Sequence, residues 1–187
     1  MGHLHERLWF RDALEGLFIR DLKDVLGPAH LAGLQSLGIN LSRLLPAYPV
    51  ATFRAGLELV GPLVAPNQSP FDQQLELGRR LTRGYFDTFL GRAMSRVMAL
   101  VGPDRGITRI ARSYRSLTNY LDARLLEKTP GSARVSFSPV EGLTGLLLGI
   151  NQESGVLLSG GKLRTNVTLI SDDGVEAFLR FEWSPQP

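Results

Sequence analysis

The spacing of apolar side chains changes period once along this chain, near Asn119, and that change limits the folds open to it. Upstream, apolar residues return every three or four positions, as a helix with one buried face requires. Phe10, Leu14, Leu17, Phe18, Leu22 and Val25 predict a helix over Phe10–Val25, stopped by Gly27-Pro28. A short helix over Ala29–Leu37 should close at Gly38. Pro46 and Pro49 forbid a continuous helix through LSRLLPAYP and predict an extended, ordered connector. Val50–Leu63 reads as helical, ending at Gly61-Pro62. Ser69-Pro70 then caps a long helix with Phe71, Leu75, Gly78, Leu81, Tyr85 and Phe89 on its apolar face, running to Val101 or kinking near Gly91. A further helix is expected from Asp104, with a stripe of Ile107, Ile110, Ala111, Tyr114 and Leu117.

Downstream of the switch the pattern is that of strands. Asn119–Lys128 and Ala133–Ser138 flank Thr129-Pro130-Gly131-Ser132, a compact turn signal. Pro139 is placed as a first-turn residue of a buried helix from Val140 to about Gln152. Two last strands, Leu163–Ser171 and Gly174–Trp183, are separated by Asp172-Asp173-Gly174, a hairpin turn. Val175, Ala177, Leu179, Phe181 and Trp183 would share one face, with Leu179, Phe181 and Trp183 set against Leu146, Leu147 and Ile150 of the crossing helix. The expected fold class is therefore α+β. A helical N-terminal two-thirds (1–117) is followed by a β-β-α-β-β four-stranded antiparallel sheet with one crossing helix (118–187), all in one integrated domain.

Composition removes several classes of function. The 187 residues include no cysteine, so disulfides, thiolate zinc sites, iron–sulfur clusters and cysteine nucleophiles are all excluded. The opening MGHLHERLWF carries charges where a signal peptide needs an apolar core, and Glu6 stands where myristoylation asks for Ser or Thr. Leu59–Ala65 and Leu143–Ile150 are the most apolar stretches, and both fall short of the ~20 residues that span a bilayer. The expectation is a soluble cytoplasmic protein. A net charge of +3 does not demand nucleic acid, and no reader motif or aromatic interleaving is present.

Catalytic constellations are sparse. The histidines are His3, His5 and His30, and the last reads as a capping or surface residue. No HExxH or nucleophile elbow occurs. Gly155-x4-Gly160-Gly161-Lys162 approaches a P-loop but lacks its Lys and Ser/Thr in register, and it precedes a strand; it reads as a helix exit. One charge feature has shape. Ten arginines and no lysine lie between Arg79 and Arg124, against only Asp87, Asp104 and Asp122, for a local net charge of +7. Arg105, Arg109 and Arg112 fall at i, i+4 and i+7, and Arg92 and Arg96 at i, i+4. Guanidinium groups so placed suit an anionic ligand or an acidic partner, whereas an amphipathic helix with a solvated polar face needs no ligand at all.

Several segments carry a resemblance: Leu45-Pro46-Ala47-Tyr48-Pro49, Leu77-Gly78-Arg79-Arg80, Gly84-Tyr85-x2-Thr88-x2-Gly91-Arg92, Gly102-Pro103-x-Arg105, Thr118-Asn119-Tyr120 and the terminal Phe181-x-Trp183. In order and spacing they resemble a large paralogous family of uncharacterised myxobacterial proteins of about 200 residues. A second resemblance is one of layout. Helices followed by strand, Glu141-Gly142-Leu143, helix, Gly-rich turn and two strands are similar to haem-nitric-oxide-binding domains and their vinyl-reductase-type relatives. Those haem proteins carry a Tyr-x-Ser-x-Arg motif at this point, where this chain has Ser136, Ser138 and Val140, and no His follows His30. The resemblance thus implies the scaffold without histidine-ligated haem, and no cofactor is expected. The functional expectation is a non-enzymatic sensory or interaction module that binds a small ligand or a partner in the cleft between helices and sheet, any anionic ligand or acidic partner contacting Arg92, Arg96, Arg105, Arg109 and Arg112. The alternatives are an enzyme with an unrecognised carboxylate/arginine site and, more weakly, a nucleic-acid binder. A homodimer is compatible with this reading; a membrane is not expected as partner.

Overall fold

A computed structural model describes residues 6–89, 91–93, 103–109, 112, 114–160 and 162–186, with backbone only at 103, 104 and 109. Strand β1 (Leu8–Phe10) leads into α1 (Arg11–Leu14), which widens into a π-helix over Glu15–Asp21. Next come α2 (Pro28–Ser36), β2 (Ala47–Pro49), α3 (Val50–Val64) and α4 (Pro70–Phe86). The one-turn helix α5 (Pro103–Gly106) tightens into a 3₁₀ turn at Ile107–Arg109. Strands β3 (Asp122–Thr129) and β4 (Ser132–Ser138), helix α6 (Thr144–Ser159), and strands β5 (Leu163–Asp172) and β6 (Ala177–Pro185) complete the chain.

The four-stranded sheet has the order β3-β4-β6-β5 and is antiparallel throughout. Its register places Ala123 opposite Phe137, Val135 opposite Leu179, and Val167 opposite Phe181, and these six side chains are buried. Cross-strand partners share a face, so one side of the sheet is apolar and turned to the helices. The buried residues of that face join Trp9, Phe18, Phe53, Leu77 and Leu146 in one hydrophobic cluster. Leu179 and Phe181 are buried in it and Trp183 is packed against it, as the alternation predicts.

Helix α4 is the axis of the helical part, and glycine sets how closely its neighbours approach. A Cβ on Gly78 would collide with the Leu146 carbonyl of α6, and one on Gly149 with the Leu75 carbonyl of α4. On another side of α4, a Cβ on Gly84 would strike the Gly16 carbonyl of the π-helix. The α4–α6 pair is then tied across its edge: Arg79 donates to Gln152 Oε1 at 2.8 Å, and Gln152 Nε2 donates to the Val167 carbonyl of β5 at 2.9 Å.

The N-terminal strand is held by residues far along the chain. Trp9 stacks on Phe53 with ring centroids 4.5 Å apart and donates its indole N–H to Tyr120 Oη at 3.0 Å. Asn119 brackets the same strand, accepting from Leu8 N at 2.8 Å and donating to the Glu6 carbonyl at 2.9 Å.

Six sequence expectations need correction. The first helix begins after Phe10, which lies in β1, and its helical turns end at Asp21, leaving Val25 outside and 49% exposed. Helix α4 stops at Phe86 and helical backbone resumes at Phe89 and 91–93, so the interruption expected near Gly91 comes at Asp87–Thr88 and Phe89 is 85% exposed instead of lying on the apolar face; residues 94–102 lie outside the described set. The helix expected from Asp104 is broken: one turn over Pro103–Gly106 gives way to a 3₁₀ turn over Ile107–Arg109, Arg112 and Tyr114 are again helical, and Ile110, Ala111 and Ser113 are not among the described residues. Asn119 and Tyr120 precede β3, being engaged with the N-terminal strand. Helix α6 starts at Thr144, because Glu141 (φ 53°) and Gly142 (φ 70°) take left-handed conformations that no α-helix accommodates. Val175 sits in the turn before β6 and is 62% exposed; Asp173 Oδ1 caps that turn by accepting from the amides of Val175 and Glu176.

Helix α6 yields a direct test. Alanine is the better helix former by about 1 kcal/mol, yet Gly149→Ala is expected to lower stability in denaturant unfolding by ~1–3 kcal/mol, because the added methyl overpacks a backbone contact. An unchanged or higher midpoint would mean that α4 and α6 part without cost.

Candidate functional site

Where α4 and α6 meet the sheet, they leave a cavity of about 170 Å³, open at one side. Leu81, Thr82, Tyr85 and Phe86 come from α4; Ile150, Asn151, Ser154 and Leu158 from α6; Val167, Phe181 and Trp183 from β5 and β6. The remaining wall is Gly106, Ile107, Tyr114, Ser116 and Leu117. The lining is mostly apolar, and the one charged side chain among its described residues, Glu182, is exposed and accepts from Asn166 Nδ2 at 3.2 Å.

The polar groups within the walls are largely bonded inside the protein. Thr82 Oγ1 donates to the Gly78 carbonyl at 2.9 Å. Tyr85 Oη lies 3.5 Å from Ser116 Oγ. Asn151, 4% exposed, donates to Tyr114 Oη and to the Leu147 carbonyl, each at 2.8 Å. Tyr114 packs its ring edge-on to Phe137 at 5.2 Å. Burial pushes the phenols of Tyr85 and Tyr114 upward, so both are neutral at physiological pH. By its chemistry the cavity can enclose an apolar body and offers few polar anchors.

The arginines lie elsewhere. Arg105 and Arg112 are exposed and make no ion pair among the described residues. Arg92, also exposed, donates to the Asp87 carbonyl. Arg96 and the Arg109 side chain fall outside the described residues. The 3₁₀ turn at Ile107–Arg109 interrupts the single helix that the i, i+4, i+7 stripe requires. Earlier members of the run are structural: Arg80 meets Asp21 at 3.0 Å and Glu76 at 3.2 Å, and Arg83 meets Glu76 at 3.2 Å and Glu153 at 3.3 Å. The local charge of +7 is reduced in space by carboxylates that lie outside that stretch of sequence.

Residues 7–184 match the model of a family described as "Protein of unknown function (DUF2378)". The chain belongs to this family. No curated protein matches it. Solved structures of H-NOX domains share its fold. One is an oxygen-binding H-NOX domain related to soluble guanylate cyclases, in its oxygen complex, at 15% identity and TM-score 0.60, covering 94% of this chain and 96% of that one. The Fe(II) unliganded H-NOX protein from K. algicida is similar at 14% identity and TM-score 0.59, with 94% and 96% covered. A structure addressing the molecular mechanism of H-NOX activation reaches 16% identity and TM-score 0.58, with 96% and 98% covered. The layout read from Glu141-Gly142-Leu143 and its surroundings is therefore that of this fold.

Another structure of this fold concerns the modulation of haem redox potential through protein-induced porphyrin distortion. The described residues of this DUF2378 member do not fit a histidine-ligated haem. Its histidines are at 3, 5 and 30, and His30, half-buried in α2, does not line the cavity. The described lining holds no His, Cys, Met, Lys or Arg, so it offers neither an axial nitrogen or sulfur nor a cation for propionates. Its two phenols are neutral and hydrogen-bonded. Among the described residues, no group of three or more His, Cys, Asp or Glu could hold a metal ion, and no helix is long and apolar enough to cross a membrane.

The cleft between helices and sheet was expected from the layout, but sequence reasoning missed the residues that line it, because they come from separate elements and are ordinary core residues. Asn151 was the one signal to be had: an amide in the middle of an apolar helical run.

The tyrosines make the site's electrostatics measurable. Tyr120, half-buried beside Trp9, is pushed up to about 12 by desolvation, and Tyr85 and Tyr114 are raised by the same cause. In the unfolded chain all titrate near 10. Their stabilising contribution is thus complete below pH ~10 and is lost as pH rises toward 12, at ~1.4 kcal/mol per pH unit for each group. Phenolate absorbance should show these three of the four tyrosines ionising only in step with loss of the fold. Ionisation near pH 10 with the fold intact would contradict their burial.

Proposed function

We propose that this DUF2378 member is a non-enzymatic, cytoplasmic sensory module whose cavity takes a small, neutral, largely apolar ligand. The observation that carries the reading is the cavity itself, walled by two helices, the sheet, and Gly106, Ile107, Tyr114, Ser116 and Leu117. The fold supports it, since the neighbouring structures are an oxygen-binding domain related to guanylate cyclases and a domain whose activation has been analysed. The chemistry of the walls supports a neutral guest: no cation of the described lining faces the interior to pair with an anion, and Glu182 stands among the lining residues to repel one. The described lining also presents no recognisable nucleophile–base pair, which favours binding over turnover.

Fluorobenzene, followed by ¹⁹F NMR, is a suitable probe, because apolar cavities of ~150 Å³ accept a benzene-sized guest. It should bind saturably and be recovered unchanged, and Ser154→Phe, which fills the cavity, should weaken binding at least tenfold. No saturable binding, or binding indifferent to that substitution, would overturn the reading.

The arginines find their place as an output surface. Arg105 adjoins Gly106 and Ile107, which form part of the cavity wall, and Arg105 and Arg112 are exposed. An acidic partner docking on Arg105 and Arg112 would sense the wall's position. Arg105→Glu combined with Arg112→Glu should abolish binding of poly-glutamate in a titration, while stability changes little, as exposed substitutions generally do. Unaltered binding would remove these residues from the interface.

A further inference from the structure

Tyr114 and Asn151 form a buried polar pair in the cavity wall, and their hydrogen bonds leave one donor and one acceptor over. Both hydrogens of the Asn151 amide are used, one on Tyr114 Oη and one on the Leu147 carbonyl, each at 2.8 Å. That double use also assigns the amide its orientation, since a backbone carbonyl can only be met by the NH₂ end. Two groups then remain without a partner among the described residues: Asn151 Oδ1, which can only accept, and the Tyr114 hydroxyl hydrogen, which can only be donated. Tyr114 is 3% exposed and Asn151 4% exposed, and both line the cavity. Burial keeps the phenol protonated, so the donor persists across the physiological range.

We propose that Tyr114 and Asn151 are the specificity-determining residues of the cavity, reading a carboxamide or lactam edge on an otherwise apolar ligand. Such an edge presents a carbonyl oxygen beside an N–H, the complement of the hydroxyl hydrogen and carbonyl oxygen offered by the pair. The inference rests on the ligand-binding reading of the cavity and specifies its chemistry. Its energetic logic is that of selective sites generally. A guest that matches both groups replaces the hydrogen bonds that water makes through the open side, whereas a hydrocarbon guest leaves both unpaired. A carboxylate would set its charge beside Asn151 Oδ1 with no cation in the described lining, so the neutral amide is favoured over the acid.

The test compares benzamide with α-methylstyrene, its planar hydrocarbon isostere, on wild type and on Tyr114→Phe. The phenylalanine variant should weaken benzamide about tenfold and leave α-methylstyrene unchanged or tighter. Asn151→Leu, which removes the acceptor, should do the same. Equal effects on both probes, or none on either, would overturn the role of the pair while leaving the cavity a binding site. Failure of both probes to bind wild type would overturn the cavity reading and this inference with it. Should either variant fail to fold, the wild-type side-chain amide resonances of Asn151 decide: they should shift on titration with benzamide and not with α-methylstyrene, and the reverse would refute the assignment.

Discussion

The backbone contact between α4 and α6 is the constraint from which the rest of the structure follows. At Gly78 and Gly149 each helix presses its main chain against a carbonyl of the other, closer than any side chain permits. Because α6 is also the helix that crosses the sheet, the contact fixes the sheet relative to the whole helical part. Gly84 and Gly16 repeat the device where the π-helix meets α4. Helices brought this near cannot slide or rotate without backbone collision, and the interior is correspondingly stiff. The cavity opens beyond the C-terminal end of this contact, where Leu81, Tyr85 and Phe86 face Ile150, Ser154 and Leu158 across a wider gap. A void there persists because the helices are pinned and cannot collapse into it.

Much of this architecture was legible because it depends on local pattern. The period change near Asn119, the Ser69-Pro70 cap, where Ser69 Oγ accepts from Asp72 N, and the turns at Gly131 and Gly174, both at positive φ, are written in adjacent residues. What escaped was decided by distant partners. Leu8–Phe10 forms a strand because β2 and Thr118 lie beside it, and nothing in those three residues announces that. Pro139 read as a helix start since proline suits a first turn, but the two left-handed residues that follow displace α6 to Thr144. The arginine run shows the same limit for charge. A window of sequence counts only its own carboxylates, whereas Arg80 and Arg83 are matched by Asp21, Glu76 and Glu153.

The segments that mark the chain as a family member have structural employment in large part. Tyr48 accepts from Leu45 N through its hydroxyl at 2.8 Å, fixing the bend before β2. Thr88 Oγ1 donates to the Tyr85 carbonyl at 2.7 Å and accepts from Gly91 N at 3.1 Å, building the exit from α4. Asn119 and Tyr120 clamp the N-terminal strand. Such residues preserve a scaffold and say little about what it binds, which is why the family could be recognised on residues that leave its ligand open. Tyr85, Phe181 and Trp183 serve both ends, holding their places in α4 and β6 and lining the cavity.

The walls of the cavity differ in how firmly they are held, and this bears on how a sensor of this design would work. Helices α4 and α6 are locked by glycine contacts, and the sheet is tied to α6 through Gln152 and Val167. The remaining wall is built differently. Gly106 ends a one-turn helix, Ile107 begins a 3₁₀ turn, and Leu117 closes a turn by donating to the Tyr114 carbonyl. Short elements carry few internal hydrogen bonds, so they are drawn from the low-stability end of a fold. A ligand can shift an equilibrium only through contacts that differ between states, and Tyr114 is the residue through which this wall would touch it. In the sensory module proposed above, occupancy of the cavity would thus be felt first at Gly106, Ile107 and Tyr114, beside the exposed Arg105 and Arg112, while the glycine contacts hold α4 and α6 in place.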